Sequence, residues 1–185
     1  MSDQPIIDTI PRKEVYAQLF AILTNRRRDE KGFLLVGLDE ESLCSVLGLS
    51  KDNLQSLISE YNEYLLGLGL TVVEFQFRNT IWFAIKSLYS QPIELSNDEL
   101  AVLGTFIMFS DKRETYKIPL NDVIDYLTQR DYFSEFKLRK LVQGLENNGY
   151  IEKNGRIITF GPRTMIEFSR EAREQIAQNV SQLLF

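Results

Sequence analysis

Two β-hairpin patterns occur in this chain of 185 residues, and helical patterns precede each of them. The first hairpin pattern, LTVVEFQFRNTIWFAIK at 70–86, has β-branched and aromatic residues on both sides of Arg78-Asn79. The second, YIEKNGRIITF at 150–160, has the same construction around Asn154-Gly155, a dipeptide that type I′ turns prefer. The chain is therefore expected to turn back on itself at these two dipeptides.

Three helical patterns stand before each hairpin. They lie within 11–26, 38–50 and 51–69 in the first half and within 96–110, 118–130 and 134–149 in the second. Asp39, Ser50 and Ser134 are placed as N-caps, as is either Ser96 or Asn97 with Glu99 close behind, and 26–37 is predicted to be a loop with a short strand. Helix, helix, helix, hairpin is the element order of a winged helix, and it occurs twice without visible sequence identity.

The sequence thus predicts a mostly α protein with small β-hairpins, of the α+β class, in which tandem winged-helix domains are followed by a C-terminal helix. The predicted parts are a flexible N-terminus at 1–10, winged-helix domain A at 11–90, winged-helix domain B at 91–168 and a C-terminal amphipathic helix at 169–185. Apolar residues lie on one face of the last helix and charges lie opposite, so it either packs on its own domain or binds a partner.

Histidine is absent and Cys44 is the single cysteine. These counts remove the commonest general base and metal ligand, and they exclude an internal disulfide. No converging pair of carboxylates is evident, so we expect no enzyme activity, no cofactor and no metal. No apolar run reaches the roughly 20 residues of a membrane-spanning helix, and the N-terminus does not resemble a signal peptide. We expect no membrane contact and a cytoplasmic, nucleoid-associated location, or a nuclear one in a eukaryote.

The net charge of -5 gives the chain no overall attraction to nucleic acid. The third helical pattern of domain B is a local exception, because its apolar positions take the core side and leave Lys137, Arg139 and Lys140 outward. Lys153 and Arg156 lie on the hairpin that follows. These five residues are the candidate DNA contacts. An ordinary solvated face is the alternative, since three nearby glutamates dilute the positive charge.

The helical pattern at 97–110 is apolar on nearly all sides. Val102, Phe106 and Phe109 form one apolar stripe, and a second stripe lies on another face. A helix of this kind must be covered on nearly all sides, by the other domain, the terminal helix or a second chain. The first stripe and the apolar residues Ile176 and Val180 of the terminal helix are the candidate partner-binding residues.

The segments around the hairpins also resemble a known family. The run LQSLISEYNEYLLGLGLTVVEFQFRNTIWFAI at 54–85 resembles the first winged helix of the non-SMC element one subunit of the eukaryotic SMC five–six complex. The run LVQGLENNGYIEKNGRIITFGPRTMIEF at 141–168 resembles the end of that family's second winged helix, and its Gly-Pro-Arg is similar to the MAGE proteins. The matching motif positions are Tyr150, Ile151, Glu152, Gly161, Arg163 and Glu167. Within this motif Pro162 suits the first turn of a helix, on which Arg163 and Glu167 can pair.

Both families belong to the kleisin-interacting tandem winged-helix (KITE) proteins. The resemblance implies a non-catalytic subunit of an SMC–kleisin complex that acts in chromosome organisation, segregation or DNA repair. The implied partners are a kleisin, an SMC ATPase, and either a second copy or a MAGE-like sister in a homodimer or heterodimer; DNA within the complex is a further candidate. The element one family continues into a zinc-binding RING domain. This sequence lacks the cysteines and histidines of that domain, so ubiquitin-ligase activity is not implied, and either a prokaryotic relative, which we favour, or a fragment of a longer protein is expected.

The rival hypothesis is a winged-helix transcriptional regulator that binds DNA through the helix at 135–148. An acidic tandem winged helix is better suited to binding a protein than to finding DNA alone. The sequence therefore favours the subunit hypothesis.

Overall fold

The structure, a computed structural model, describes residues 12–89, 95–129 and 133–184, with side chains described as far as residue 180. The predicted flexible N-terminus at 1–10 lies outside the described residues. Within the described ranges the chain forms eight α-helices and three small β-sheets. The predicted α+β fold class is therefore confirmed.

The described chain divides into two compact units. The first unit holds residues 12–27 and 35–89, and the second holds 28–34, 95–129 and 133–184. The predicted domain boundaries near residues 11 and 91 fall outside the described ranges, so they stay predictions.

From Arg12 to Ser87 the elements are α1 (Arg12–Leu23), β1 (Arg26–Arg28), β2 (Leu34–Val36), β3 (Leu38–Asp39), α2 (Glu40–Leu47), α3 (Lys51–Leu66), β4 (Leu70–Phe77) and β5 (Thr80–Ser87). Asp39 caps α2 by accepting a hydrogen bond from the Ser42 amide at 2.9 Å, and Ser50 caps α3. Arg78 and Asn79 both have positive φ, at 50° and 65°. This is the backbone of a type I′ turn, and the first predicted hairpin turn is confirmed.

The loop predicted at 26–37 contains a two-stranded sheet of β1 and β2. Asp29 organises its turn, because its Oδ1 accepts hydrogen bonds from the amides of Lys31 and Phe33, each at 2.9 Å. The sequence prediction missed β1, since three consecutive arginines carry no alternation of apolar and polar residues.

Three tyrosines pack together on α1 and α3. The ring of Tyr16 lies 4.9 Å from that of Tyr61 and 5.3 Å from that of Tyr64, and the Tyr16 hydroxyl donates to Glu60 Oε1 at 2.6 Å. Burial, together with the hydrogen bond to Glu60, raises the pKa of Tyr16 to about 12, and burial raises the pKa of Tyr61 to about 12. The folded protein therefore keeps both protons at a pH where the unfolded chain releases them.

This difference predicts alkaline destabilisation. An unfolded tyrosine titrates near pH 10, so between about pH 10 and pH 12 the folded state binds more protons and the free energy of unfolding falls as pH rises. Urea unfolding at several alkaline pH values measures the fall. In Tyr16→Phe, which lacks the titrating hydroxyl, the free energy of unfolding should fall less steeply with pH. Equal slopes in the variant and the wild type would contradict the assignment to Tyr16.

From Asn97 onwards the elements are α4 (Asn97–Lys112), β6 (Ile118–Pro119), α5 (Leu120–Thr128), α6 (Glu135–Asn147), β7 (Ile151–Asn154), β8 (Ile157–Phe160), α7 (Pro162–Glu167) and α8 (Arg170–Leu184). Ser96 and Glu99 form a capping box at the start of α4, and Ser134 caps α6. The sheet order β6-β8-β7 repeats the order β3-β5-β4 of the first unit. In both units a short strand follows the first helix and joins the hairpin, so each has winged-helix topology.

The second hairpin turn is displaced by one residue from its prediction. Asn154 pairs with Ile157, so Gly155 and Arg156 form the turn. Gly155 has φ 64°, whereas Asn154 and Arg156 do not have positive φ. Glycine at the first of the two turn positions, followed by a residue with negative φ, is the pattern of a type II′ turn.

Candidate functional site

The residues of the family motif meet where the second hairpin joins α7. The Gly161 amide donates to the Tyr150 carbonyl at 2.8 Å, and the Arg163 amide donates to the Gly149 carbonyl at 3.1 Å. Thr164 is fully buried, and its hydroxyl donates to the same Tyr150 carbonyl at 2.6 Å. These hydrogen bonds join the first turn of α7 to Gly149 and Tyr150, the two residues that precede β7.

Side chains of the motif form a second layer of contacts, which we name the wing–helix cluster: Tyr150, Arg163 and Glu167. The Tyr150 hydroxyl donates to Glu167 Oε2 at 2.7 Å, and Arg163 Nε donates to Glu167 Oε1 at 2.6 Å. The Arg163 guanidinium lies 4.4 Å from the centre of the Tyr150 ring. Arg163 and Glu167 thus pair along α7, as their spacing predicts. Any role of the motif in binding stays a prediction.

Tyr150→Phe tests the wing–helix cluster. Tyr150 is fully buried, and a hydrogen bond to a charged group contributes about 2 kcal/mol, so the variant should lose about that much free energy of unfolding. Glu167→Gln should cost a similar amount. Tyr150→Phe removes the bond between the two side chains and Glu167→Gln replaces its charged acceptor with a neutral one. Because both changes act on the same bond, the double variant should lose less than their sum in urea unfolding.

The matched control is Tyr116→Phe, since Tyr116 is 59% exposed and belongs to the same unit. It should change the free energy of unfolding by less than about 0.5 kcal/mol. Strict additivity of the Tyr150 and Glu167 changes would show that the cluster does not act as one unit.

The predicted partner-binding residues lie in and around the core of the second unit. Val102 and Phe106 are buried, and Phe106 meets Phe160 edge-on with ring centres 4.9 Å apart. Phe109, Ile176 and Val180 are partly buried against the same core. Their contact with a partner stays a prediction, and Phe109, Ile176 and Val180 are the more accessible three.

The terminal helix covers the apolar helix. Among the described elements α8 packs chiefly along α4, and Gly104 of α4 lies against it. A Cβ at Gly104 would lie 3.0 Å from Val180 Cγ2 and 3.5 Å from Ile176 Cγ2. The sequence left three candidates for the element that covers the apolar helix α4. The structure shows that the terminal helix of the same chain, α8, covers it.

Two of the five predicted DNA contacts already have carboxylate partners. Lys137 Nζ lies 2.6 Å from Asp98 Oδ2, and Arg139 Nη2 lies 2.6 Å from Glu135 Oε1. Lys140 Nζ lies 4.5 Å from the centre of the Phe136 ring. These partners reduce the positive field of α6. DNA binding by the five residues stays a prediction.

Lys153 and Arg156, the two remaining candidates, lie on the second hairpin. Lys153 belongs to β7, and Arg156 is exposed in the turn between β7 and β8. The structure therefore places the five candidates on two elements, α6 and the hairpin.

Exposed apolar side chains are the feature that the sequence analysis missed. Phe136 is 70% exposed on α6, and the first unit exposes Leu66, Leu68, Leu88 and Tyr89 where α3 ends and β5 ends. The ends of α3 and β5 lie side by side, because the Leu88 amide donates a hydrogen bond to the Gly69 carbonyl at 2.9 Å. The glycine pair at 67–69 was a signal that the helix ends there, but it does not tell which leucines face solvent.

The described residues include no group of three or more histidine, cysteine or acidic side chains that could hold a metal ion. Among the same residues no helix combines the length and the apolar character that crossing a membrane requires.

The chain is similar in fold to a chain in the solved structure of the Nse1-Nse3-Nse4 complex. The TM-score is 0.52, with 12% sequence identity, and the match covers 92% of this chain and 77% of that one. At this identity the similarity shows the fold alone. No protein-family model and no curated protein matches the sequence.

Proposed function

We propose that this chain is a non-catalytic KITE subunit of an SMC–kleisin complex, which dimerises and binds the kleisin in chromosome organisation, segregation or DNA repair. The observation that carries the proposal is the tandem winged-helix fold, which matches a chain of the Nse1-Nse3-Nse4 complex along 92% of this chain. That neighbour comes from a multi-subunit assembly. The fold similarity extends over both units, beyond what a single winged helix would give.

The sequence motif supports the same proposal independently. The positions that resemble the element one and MAGE proteins are the ones that meet at the second hairpin and α7. Tyr150 and Glu167, separated by seventeen positions, share a hydrogen bond of 2.7 Å. Tyr150, Gly161, Arg163 and Glu167 of the motif are thus bonded to one another or to their neighbours at one place in the second unit, which supports reading them as one motif.

The charges support a protein partner over DNA. In a DNA-binding winged helix the third helix presents free cations to phosphates. Here Lys137 and Arg139 of α6 lie beside Asp98 and Glu135 instead. The proposed location is the nucleoid, or the nucleus in a eukaryote, with an SMC ATPase and a kleisin as partners.

Affinity purification of the tagged protein from its own cells, followed by mass spectrometry, tests the proposal. An ATPase with a long coiled coil and a kleisin-sized linker protein should be enriched, and both should remain after nuclease treatment removes DNA bridges. The reciprocal purification through the tagged ATPase should return this chain. Recovery of the chain without either partner in both directions would contradict the proposal.

Mobility-shift titration of duplex DNA tests the rival regulator hypothesis. If α6 reads DNA, the purified protein should shift duplex DNA at low salt, and Lys137→Ala and Lys140→Ala should each reduce the salt slope by about one. We expect no such dependence on these two lysines. Specific binding with reduced slopes in both variants would favour the regulator.

A further inference from the structure

At the junction between α7 and α8, the Phe168 carbonyl and the Ala172 amide are hydrogen-bonded in the observed bend and would also be hydrogen-bonded in a continuous helix. Phe168, the residue that follows α7, has extended backbone, with φ −108° and ψ 111°. In this bend the Phe168 carbonyl accepts from Arg173 Nη1 at 2.6 Å, and the Ala172 amide donates to Ser169 Oγ at 3.2 Å. In a continuous helix the Ala172 amide would donate to the Phe168 carbonyl directly, as the i to i−4 bond. Neither state leaves these two groups unpaired.

The sequence across the junction permits the straight form. No glycine or proline occurs between Arg163 and Phe185. The Phe168 amide already donates to the Thr164 carbonyl at 3.2 Å, which is a helical bond. A change of backbone at Phe168 and Ser169 would therefore join α7 and α8 into one helix, and α8 would leave α4.

Two features oppose each other at this junction. The Phe168 side chain is buried in the core of the second unit, which favours the bend. Arg173 is partly buried, and this burial lowers its pKa because the guanidinium loses solvation. Its guanidinium donates to the Phe168 carbonyl and lies 5.8 Å from the centre of the Phe160 ring. The carboxylates of Glu171 and Glu174 favour its charged form, but the loss of solvation outweighs them. The bend thus desolvates a cation that the straight form would release.

Departure of α8 would expose the surface of α4 around Gly104, where Ile176 and Val180 now pack. The helix that fits this surface is α8 itself, so a second copy supplies a cover with identical contacts. Exchange of an identical element is a low-cost route to a dimer, because it needs no new surface.

We propose that two copies of this chain exchange α8, so that the α8 of each copy packs against Gly104 on the α4 of the other. The proposal deepens the dimerisation part of the proposed function and names a second copy as the partner. The bent junction corresponds to the monomer and the straight junction to the exchanged dimer.

A disulfide between two differently tagged chains tests the exchange. On a Cys44→Ser background, one chain carries Gly104→Cys and the other carries Val180→Cys; they are expressed together and oxidised. Exchange brings the two new cysteines together across chains and should give a covalent mixed dimer. A control pair replaces Gly104→Cys with Phe136→Cys, on the exposed side of α6, and should give only background cross-linking. A light-scattering mass of one chain together with no mixed disulfide would overturn the proposal.

Two junction variants in the same assay separate exchange from other dimers. Ser169→Pro keeps Phe168 extended and lacks the amide that a continuous helix needs, which costs the straight form about 3 kcal/mol. The bend loses only the Ser169 Oγ cap of the Ala172 amide, about 1 kcal/mol, so the variant should lower the mixed-dimer yield more than about tenfold. Phe168→Ala removes the buried ring and favours helix, so it should raise the yield. Circular dichroism checks that both variants are folded. An unchanged yield in folded Ser169→Pro would overturn the proposal.

The assay uses the isolated protein, which makes its failure distinguishable from failure of the proposed function. Loss of the mixed disulfide leaves co-purification with an ATPase and a kleisin intact. Loss of that co-purification leaves the mixed disulfide intact.

Discussion

Replacing Phe106 with alanine is expected to lower the free energy of unfolding by about 3–5 kcal/mol. The side chain is only 2% exposed, and its ring meets the Phe160 ring edge-on. Alanine would leave a cavity between α4 and β8 and would remove this aromatic pair. Urea unfolding followed by far-ultraviolet circular dichroism measures the loss.

The matched control is Phe136→Ala, because Phe136 is 70% exposed in the same unit. It should change the free energy of unfolding by less than about 0.5 kcal/mol. The pair of variants also separates two roles for Phe106. A residue that contacts only a partner would leave the stability of the free chain unchanged and would weaken association alone. Wild-type stability in Phe106→Ala would therefore contradict the buried position and favour the partner role predicted from the sequence.

Gly161→Ala is the second change with a large expected effect, at about 3 kcal/mol or more. Gly161 has an ordinary φ of −84°, so its backbone conformation does not require glycine. Glycine is required here by lack of space, because a Cβ at Gly161 would lie 2.3 Å from the Gly149 carbonyl oxygen. Since that oxygen accepts the amide of Arg163, relief of the clash would separate α7 from the second hairpin. Hydrogen exchange of the amides of Gly161 and Arg163, with urea unfolding, measures both consequences.

Gly144→Ala provides the comparison, since it is the same chemical change within α6. A Cβ there would lie 3.0 Å from Glu99 Oε1, whereas the capping-box bonds of Glu99 are made by its other oxygen, Oε2. A shift of Oε1 by a few tenths of an ångström therefore relieves the contact and keeps the capping box. Helix propensity favours alanine by roughly 1 kcal/mol, so the variant should be neutral or slightly more stable. If both glycine variants had the same stability, the close approach at Gly161 would not be the reason for its place in the motif.

The accessibility of α4 connects these results to function. If α8 covers α4 within one chain, Val102 and Phe106 stabilise the fold, and a partner reaches Phe109 or the residues of α8. If α8 is exchanged, the same side chains stabilise both the fold and the dimer. The Phe106 and Ser169 variants together distinguish these cases, because Ser169→Pro lies outside the core and acts through the junction.

Local sequence signals predicted most elements correctly because the interactions that produce them span a few residues. Asp39 and Ser50 cap α2 and α3, and Ser96 and Glu99 form a capping box before α4. The hairpin at Arg78 and Asn79 turns where expected, with both residues at positive φ. Repetition of these local signals was sufficient to predict two winged helices in series.

The second hairpin turn shows where local signals become ambiguous. Asn154-Gly155 and Gly155-Arg156 are both acceptable two-residue turns, so the dipeptide alone cannot select between them. The third strand, β6, adds contacts to β8 that the dipeptide does not contain. Pro119 of β6 pairs with Ile157, and the Leu120 amide donates to the Arg156 carbonyl at 2.8 Å. The register of β8 thus depends on a strand more than thirty residues earlier in the chain.

The sequence by itself determined the places of the helices, the first hairpin turn, the second to within one residue, and the pairing of Arg163 with Glu167, because each depends on spacing within a few residues. Only the tertiary structure decided that α8 covers α4, that Asp98 pairs with Lys137 and that Tyr150 reaches Glu167. These contacts join residues far apart in the chain, and their partners are selected by how the helices pack. Periodicity shows which face of a helix is apolar, whereas packing decides what that face meets.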